Sequence, residues 1–169
     1  MLPTFTPVTR EDINQVQKLA AIIWNEYYID IISQDQIVYM LEKMYSCETI
    51  IHELDSHYYW FLIKIADTPA GFLSYHKEVS DRIKLDKIYL LKEYRKQGTG
   101  NVAIAFVKGA ASGLGAHTIY LQVNKKNTQA IEAYQKAGFT IKTDSVTDIG
   151  NGFVMDDYIM ELNIPFIFD

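Results

Sequence analysis

The segment from Ile83 to Ala111 constrains the fold more than any other. Residues 83–90 read as a strand, Leu91 to Gly100 as a basic, glycine-containing turn, and the run from Val102 to about Ala111 as a helix. A strand that breaks into a turn and then a helix leaves unpaired helix N–H groups at the turn, reinforced by the positive end of the helix dipole. Gly98 and Gly100 remove side chains so that an anion can approach the backbone, and Arg95 and Lys96 add full charges. No Lys-Ser or Lys-Thr follows the last glycine, so this is not a nucleoside-triphosphate loop. The third glycine of the dinucleotide fingerprint is missing as well.

The other elements follow from period and capping. Thr9 with Asp12, then Val16, Leu19, Ile23 and Trp24, predicts a capped helix to about Tyr28. Ser33 with Gln36 repeats the pattern before Ile37, Met40, Leu41 and Met44, and a short third helix is expected around Ile50 to Leu54. Tyr58 to Ile65 reads as a strand, Asp67-Thr68-Pro69 as a turn, and Gly71 to His76 as the second strand of a hairpin. After the helix ending near Gly113 and Gly115 come a strand (Thr118 to Val123), a helix (Thr128 to Ala137, stopped by Gly138) and a strand from Phe139 to Thr143. A polar stretch, Asp148 to Gly152, precedes a last strand from about Met155 to Leu162. Helices, then an antiparallel pair or trio, then strand–helix–strand–helix–strand, make a mixed α+β sheet domain rather than a doubly wound one.

At 169 residues the chain is expected to form one domain, 1–169, with its own core. No apolar run is long enough to cross a membrane and the first ten residues lack a leader pattern, so a cytoplasmic protein is expected, with no membrane partner. Cys47 is the only cysteine, expected as a small core residue rather than a nucleophile. His52, His57, His76 and His117 have no metal-ligand spacing, and no metal is expected. The net charge of −5 argues against bulk nucleic-acid binding. Its distribution is uneven: residues 1–57 hold nine acids against three bases, and residues 82–100 hold six bases against two acids. Such a division points to an anionic ligand at the turn and a cationic one elsewhere, or simply to helix surfaces solvated by acids.

A second constellation follows the Thr118–Val123 strand. Helical spacing puts Asn127, Ala130, Ile131 and Tyr134 on one face, an amide and a phenol on the same edge with small apolar surface between them. An amide can pair with peptide-like groups of a ligand, and a phenol can give a proton to a leaving group. Singly, Asn127 also reads as an N-cap and Tyr134 as a core residue with its hydroxyl at the surface.

Together, Arg95-Lys96-Gln97-Gly98-Thr99-Gly100 and the run from Asn127 through Ala130 and Tyr134 to Gly138-Phe139 resemble the GNAT superfamily of acyl-CoA-dependent N-acyltransferases. The resemblance implies a GNAT-like α+β fold, a mixed, mainly antiparallel central sheet flanked by helices, and acetyl-CoA as the acetyl donor. Backbone groups of Leu90 and Lys92, flanking Leu91, would pair with the pantetheine arm like an added strand. The turn from Arg95 through Lys96, Gln97, Gly98 and Thr99 to Gly100 would hold the pyrophosphate. Asn127 would contact the pantetheine, and Tyr134 would protonate the departing thiolate. Lys125, Lys126 and Lys136 are candidates for the adenosine end on charge alone. Trp24, Tyr27-Tyr28, Ile32-Ser33 and Tyr39-Met40-Leu41 look like the bacterial members that include polyamine acetyltransferases.

The base is where the pattern departs. Some histone-type members carry a Glu on the fourth strand, and the aligned position here is Lys84. Asp86, two residues on and on the same strand face, is the candidate base, with an ion pair to a neighbouring lysine as the alternative. Glu26 and Asp35 are the acids expected to meet a substrate. The expected reaction is transfer of acetyl to a primary amine, a small cationic one such as a polyamine. The alternatives are a protein or peptide amine and a non-catalytic acyl-CoA sensor. The apolar tail Ile164-Pro165-Phe166-Ile167-Phe168 is expected to cap the core or to build a homodimer contact.

Overall fold

The computed structural model describes residues 1–165. They form five α-helices and seven β-strands: β1 (Thr4–Pro7), α1 (Ile13–Tyr27), α2 (Gln34–Tyr45), α3 (Cys47–Asp55), β2 (Tyr58–Ile65), β3 (Thr68–Lys77), β4 (Arg82–Leu90), α4 (Thr99–Gly113), β5 (Thr118–Asn124), α5 (Thr128–Lys136), β6 (Thr140–Gly150) and β7 (Phe153–Asn163). The hydrogen-bonded strand order is β1-β2-β3-β4-β5-β7-β6. β4 and β5 run parallel, while β1–β2, β2–β3, β5–β7 and β6–β7 are antiparallel. This is the expected α+β class, a mixed and mainly antiparallel sheet with helices. No helix of the described residues is long and apolar enough to cross a membrane. Of the apolar tail, Phe166 to Phe168 lie outside the described residues.

The chain divides into two compact units: residues 1–76 with 87–105, and residues 77–86 with 106 onward. In the first, local chemistry sets the helix starts. The Asp12 carboxylate accepts from the Thr9 N–H at 2.8 Å, and Ser33 Oγ and Ser46 Oγ accept from the N–H groups of Gln36 and Thr49, each at 3.1 Å. The apolar stripes Val16–Leu19–Ile23 and Ile37–Met40 are buried, with Trp60, Leu62, Phe72 and Leu73 of β2 and β3. Tyr45 ties the layers, its ring centroid 5.6 Å from that of Phe72 and its hydroxyl accepting from Trp24 Nε1 at 3.2 Å. Gly71 is dictated by close approach, since a Cβ there would lie 2.0 Å from the Tyr89 carbonyl oxygen.

Three boundaries and the burial of one residue differ from the sequence reading. β1 was not predicted, because four residues closed by Pro7 carry little strand signal; as an edge strand, it tolerates the missing N–H. The β2–β3 turn is Ala66-Asp67, both at positive φ (48° and 64°), so Thr68 and Pro69 already belong to β3. β6 continues to Gly150 and only Asn151-Gly152 turns, again with both φ positive. Cys47 is exposed at the start of α3 rather than part of the core, because the buried face of that helix belongs to Ile50.

In the second unit, directly opposed residues of β4, β5 and β7 share a face. Ile83 and Leu85, Ile119, Leu121 and Val123, and Met160 form the buried apolar side. The other side carries Arg82, Lys84 and Asp86 of β4, Tyr120, Gln122 and Asn124 of β5, and Asp157 and Glu161 of β7. A sheet with one apolar and one strongly polar side is half core and half working surface.

Candidate functional site

In the first unit, β4 ends in a 3-10 turn, Lys92–Tyr94, and the chain then rises into α4 at Thr99. Lys96 and Gly98 take positive φ values of 59° and 84°, which turns this short stretch so that Lys96, Gln97 and Gly98 face solvent. A Cβ built at Gly98 or Gly100 would meet nothing within 4 Å, so the approach to the backbone is open. The first helical bond of α4 is Val102 N–H to the Gly98 carbonyl at 3.2 Å, and the N–H groups before it have no acceptor one turn back. Open backbone, unmatched donors, a helix dipole and Lys96 together fit a pyrophosphate.

Arg95 acts differently from the bare sequence reading of a charge held out to the anion. Its Nε donates to the Leu90 carbonyl at 2.8 Å and its guanidinium stands 5.0 Å over the Tyr27 ring. Its buried Nη2 has no hydrogen-bond partner among the described residues. The Leu91 N–H donates to the Ala70 carbonyl at 2.9 Å, locking the end of β4 to β3. Arg95 thus braces the strand end from which the turn springs, with both N–H groups of Nη2 left over. Gln97 reaches back to the Glu93 carbonyl, which holds the turn closed. Glu26 on α1 and Asp35 on α2 are both exposed.

The acid that this unit draws inward is Glu53, which sequence reasoning did not single out. Lys87 is only 4% exposed, and its ammonium lies 3.3 Å from both Glu53 oxygens and 4.6 Å over the Trp60 ring. Trp60 Nε1 donates to the same carboxylate at 2.9 Å. The signal was available: Lys87 continues the buried alternation of Ile83 and Leu85.

In the second unit, Asn127 is the N-cap of α5, 4% exposed, its Oδ1 accepting from the Ala130 N–H at 3.2 Å. Ile131 is buried, Ala130 and Tyr134 are half-buried, and the Tyr134 ring meets Phe139 at 5.7 Å. The predicted face therefore exists, with Asn127 engaged as a cap and the phenol carried at a partly open position. Lys125 is committed within its own unit, 2.8 Å from Asp144 and 2.9 Å from Asp156, which raise its pKa. Lys126 and Lys136 are exposed.

The polar side of β4, β5 and β7 holds a chain of paired groups. Arg82 binds Glu161 at 2.7 Å and stacks 4.6 Å over Tyr120, whose hydroxyl donates to Glu78. Gln122 Nε2 donates to Ser145 Oγ at 3.2 Å. Asp86 is half-buried on this side, two residues beyond Lys84. Asp157, opposite Asn124 on one neighbour and Ser145 on the other, is 1% exposed, and its buried Oδ1 has no hydrogen-bond partner. Burial, and then the neighbouring Asp156, push its carboxyl up to about 6, with Lys84 and Lys125 pulling the other way. The sequence reading passed over Asp157. The sign was the pair Asp156-Asp157 inside a strand, since a period of two sends adjacent acids to opposite faces. The described residues contain no cluster of three His, Cys, Asp or Glu able to hold a metal.

A sequence profile described as the acetyltransferase (GNAT) family matches residues 17–139. A spermidine N(1)-acetyltransferase of Thermoplasma acidophilum is 26% identical over 151 residues, which are 86% of this chain and 91% of that protein. A peptidyl-lysine N-acetyltransferase of Salmonella typhimurium is 30% identical over 95 residues, 56% of this chain and 59% of that protein. Among solved structures, the PaiA N-acetyltransferase of Thermoplasma acidophilum in complex with coenzyme A superposes with a TM-score of 0.82 at 21% identity, over 96% of this chain and 99% of that one.

Proposed function

The chain belongs to the acetyltransferase (GNAT) family and is an acetyl-CoA-dependent N-acetyltransferase, and we propose that it works as one domain over residues 1–169 on a small cationic amine of the polyamine class. The observation that carries the acceptor class is the excess of carboxylates before β2, among them exposed Glu26 and Asp35, which attracts a polycation and not a neutral amine. The likeness to a spermidine acetyltransferase over most of both chains supports the same class. In this reading the open turn from Lys96 to Gly100 binds the donor's pyrophosphate. Arg95 holds that turn and keeps its Nη2 donors for it. Leu90, Leu91 and Lys92 at the strand end are candidate partners of the pantetheine arm, and so, by the family pattern, is Asn127. The amine attacks the thioester carbonyl, and Tyr134 supplies the proton that the departing thiolate takes up. A carboxylate on the polar side of the sheet takes the amine proton; Asp86 is the candidate the strand pattern offers and Asp157 the one that burial offers.

The second reading is a peptide amine, favoured by the 30% likeness to a peptidyl-lysine acetyltransferase across part of the chain. A CoA-release assay with spermidine, spermine, putrescine, a lysine peptide and a neutral aromatic amine separates the two. The proposal requires polyamines to be turned over best. Turnover of peptides or neutral amines with none for polyamines refutes it.

A further inference from the structure

Strand β7 buries a carboxylate that its packing does not explain. The apolar side of the second unit is complete without it, being built from Ile83, Leu85, Ile119, Leu121, Val123 and Met160. Asp157 lies on the other side, where Arg82–Glu161, Tyr120–Glu78 and Gln122–Ser145 are paired and, apart from Asp157, Arg82 Nε is the buried side-chain atom left without a partner. A carboxylate retained for structure is normally hydrogen-bonded at both oxygens. Asp157 is 1% exposed and one oxygen has no partner, although exposed Gln122 and half-buried Ser145 beside it open this face to solvent. The charged groups acting on it are Asp156 of its own strand, Lys84 of β4 and Lys125 just past β5. Lys125 is already held by Asp144 and Asp156.

We infer that Asp157 is the proton acceptor of the acetyl transfer, taking a proton from the acceptor's ammonium group to release the neutral amine. The step balances: the ammonium gives one proton to the Asp157 carboxylate, and the freed lone pair forms the N–C bond as the C–S bond breaks. The thiolate takes the Tyr134 proton, and the nitrogen's second proton restores the phenol. One proton leaves to solvent from Asp157. Burial suits it to this task better than half-buried Asp86. A carboxyl pushed up to about 6 by loss of hydration is a far better base near neutrality than one at the ordinary carboxylate value. The inference rests on the acetyltransferase reading and not on the choice of polyamine.

The test compares Asp157→Asn and Asp86→Asn with the parent on two acceptors: the best alkylamine or peptide lysine of the panel, and an aromatic amine that is already neutral at assay pH. Asp157→Asn is expected to lose about a hundredfold or more in kcat with the alkylammonium acceptor. Its KM for acetyl-CoA and its rate with the neutral amine should stay within a few-fold, and the lost rate should return as pH approaches the acceptor's pKa. Equal losses on both acceptors mean a structural role and overturn the inference, as does Asp157→Asn retaining kcat or Asp86→Asn taking the loss. If a peptide lysine proves the acceptor, the polyamine reading fails while the Asp157 comparison proceeds on the peptide. A parent enzyme that acetylates no ammonium-bearing amine overturns both.

Discussion

Replacing Asp157 by Asn should make the protein more stable near neutral pH, and the gain should appear only as pH rises. The carboxyl titrates at 3.8 in an unfolded chain and at about 6 in the fold. Between those values the folded state holds more protons than the unfolded state, so stability falls as pH climbs through the window. At about 1.36 kcal/mol for each tenfold change in proton affinity, the ionised carboxylate destabilises the fold by about 3 kcal/mol above pH 7. An amide of the same shape never ionises. Well below pH 3.8 both proteins carry a neutral group there in both states, and their difference reflects packing alone. Urea unfolding of the two proteins at a series of pH values from 4 to 8 reads the gap directly, because every other titrating group is common to both. The gap should grow by about 2 kcal/mol between pH 4 and pH 7 and then level. A gap independent of pH would show an ordinarily hydrated carboxylate. A gap that shifts against the variant would show that Lys84 and Lys125 outweigh burial, and either result refutes the reasoning.

The buried pair in the first unit predicts the opposite behaviour: Glu53→Gln leaves Lys87 charged and 4% exposed, and should lower stability by about 3–5 kcal/mol in urea melts, with Lys87→Met restoring most of it in the same background. Gly71→Ala should fail to fold or melt far lower by circular dichroism, because its Cβ would strike the Tyr89 carbonyl at 2.0 Å. Gly100→Ala, whose Cβ meets nothing, should melt like the parent yet raise the KM for acetyl-CoA several-fold. Tyr134→Phe should keep its contact with Phe139 and its melting temperature while kcat falls by about a hundredfold or more; unchanged turnover would end the acid role.

Local chemistry made much of this protein legible in advance. The helix starts at Thr9 and Ser33 follow from side-chain oxygens and the N–H groups they satisfy, whereas α3, capped by Ser46, starts at Cys47, three residues before the expected Ile50. β2 runs from Tyr58 to Ile65 as its aromatic and branched residues predict. The glycine turn and the Asn127–Tyr134 face were readable because residues close in sequence build them. Their family spacing pointed to the donor. The misread turns have a local cause too: Ala66-Asp67 adopts a conformation usually given to Gly or Asn, so neighbouring Pro69 drew the prediction instead.

What sequence alone determined was the α+β class and every element but β1, because short-range spacing and capping encode them, and, through the family resemblance, the acetyl donor. Tertiary structure decided which charges leave water. Nothing in composition separates Lys87 from Lys84, or Asp157 from Asp156. Strand register does, turning Lys87 toward Glu53 and Trp60 and setting Asp157 opposite Asn124 and Ser145. Burial changes the free energy of a charge far more than its identity does, and burial is a property of neighbours that the chain meets only on folding.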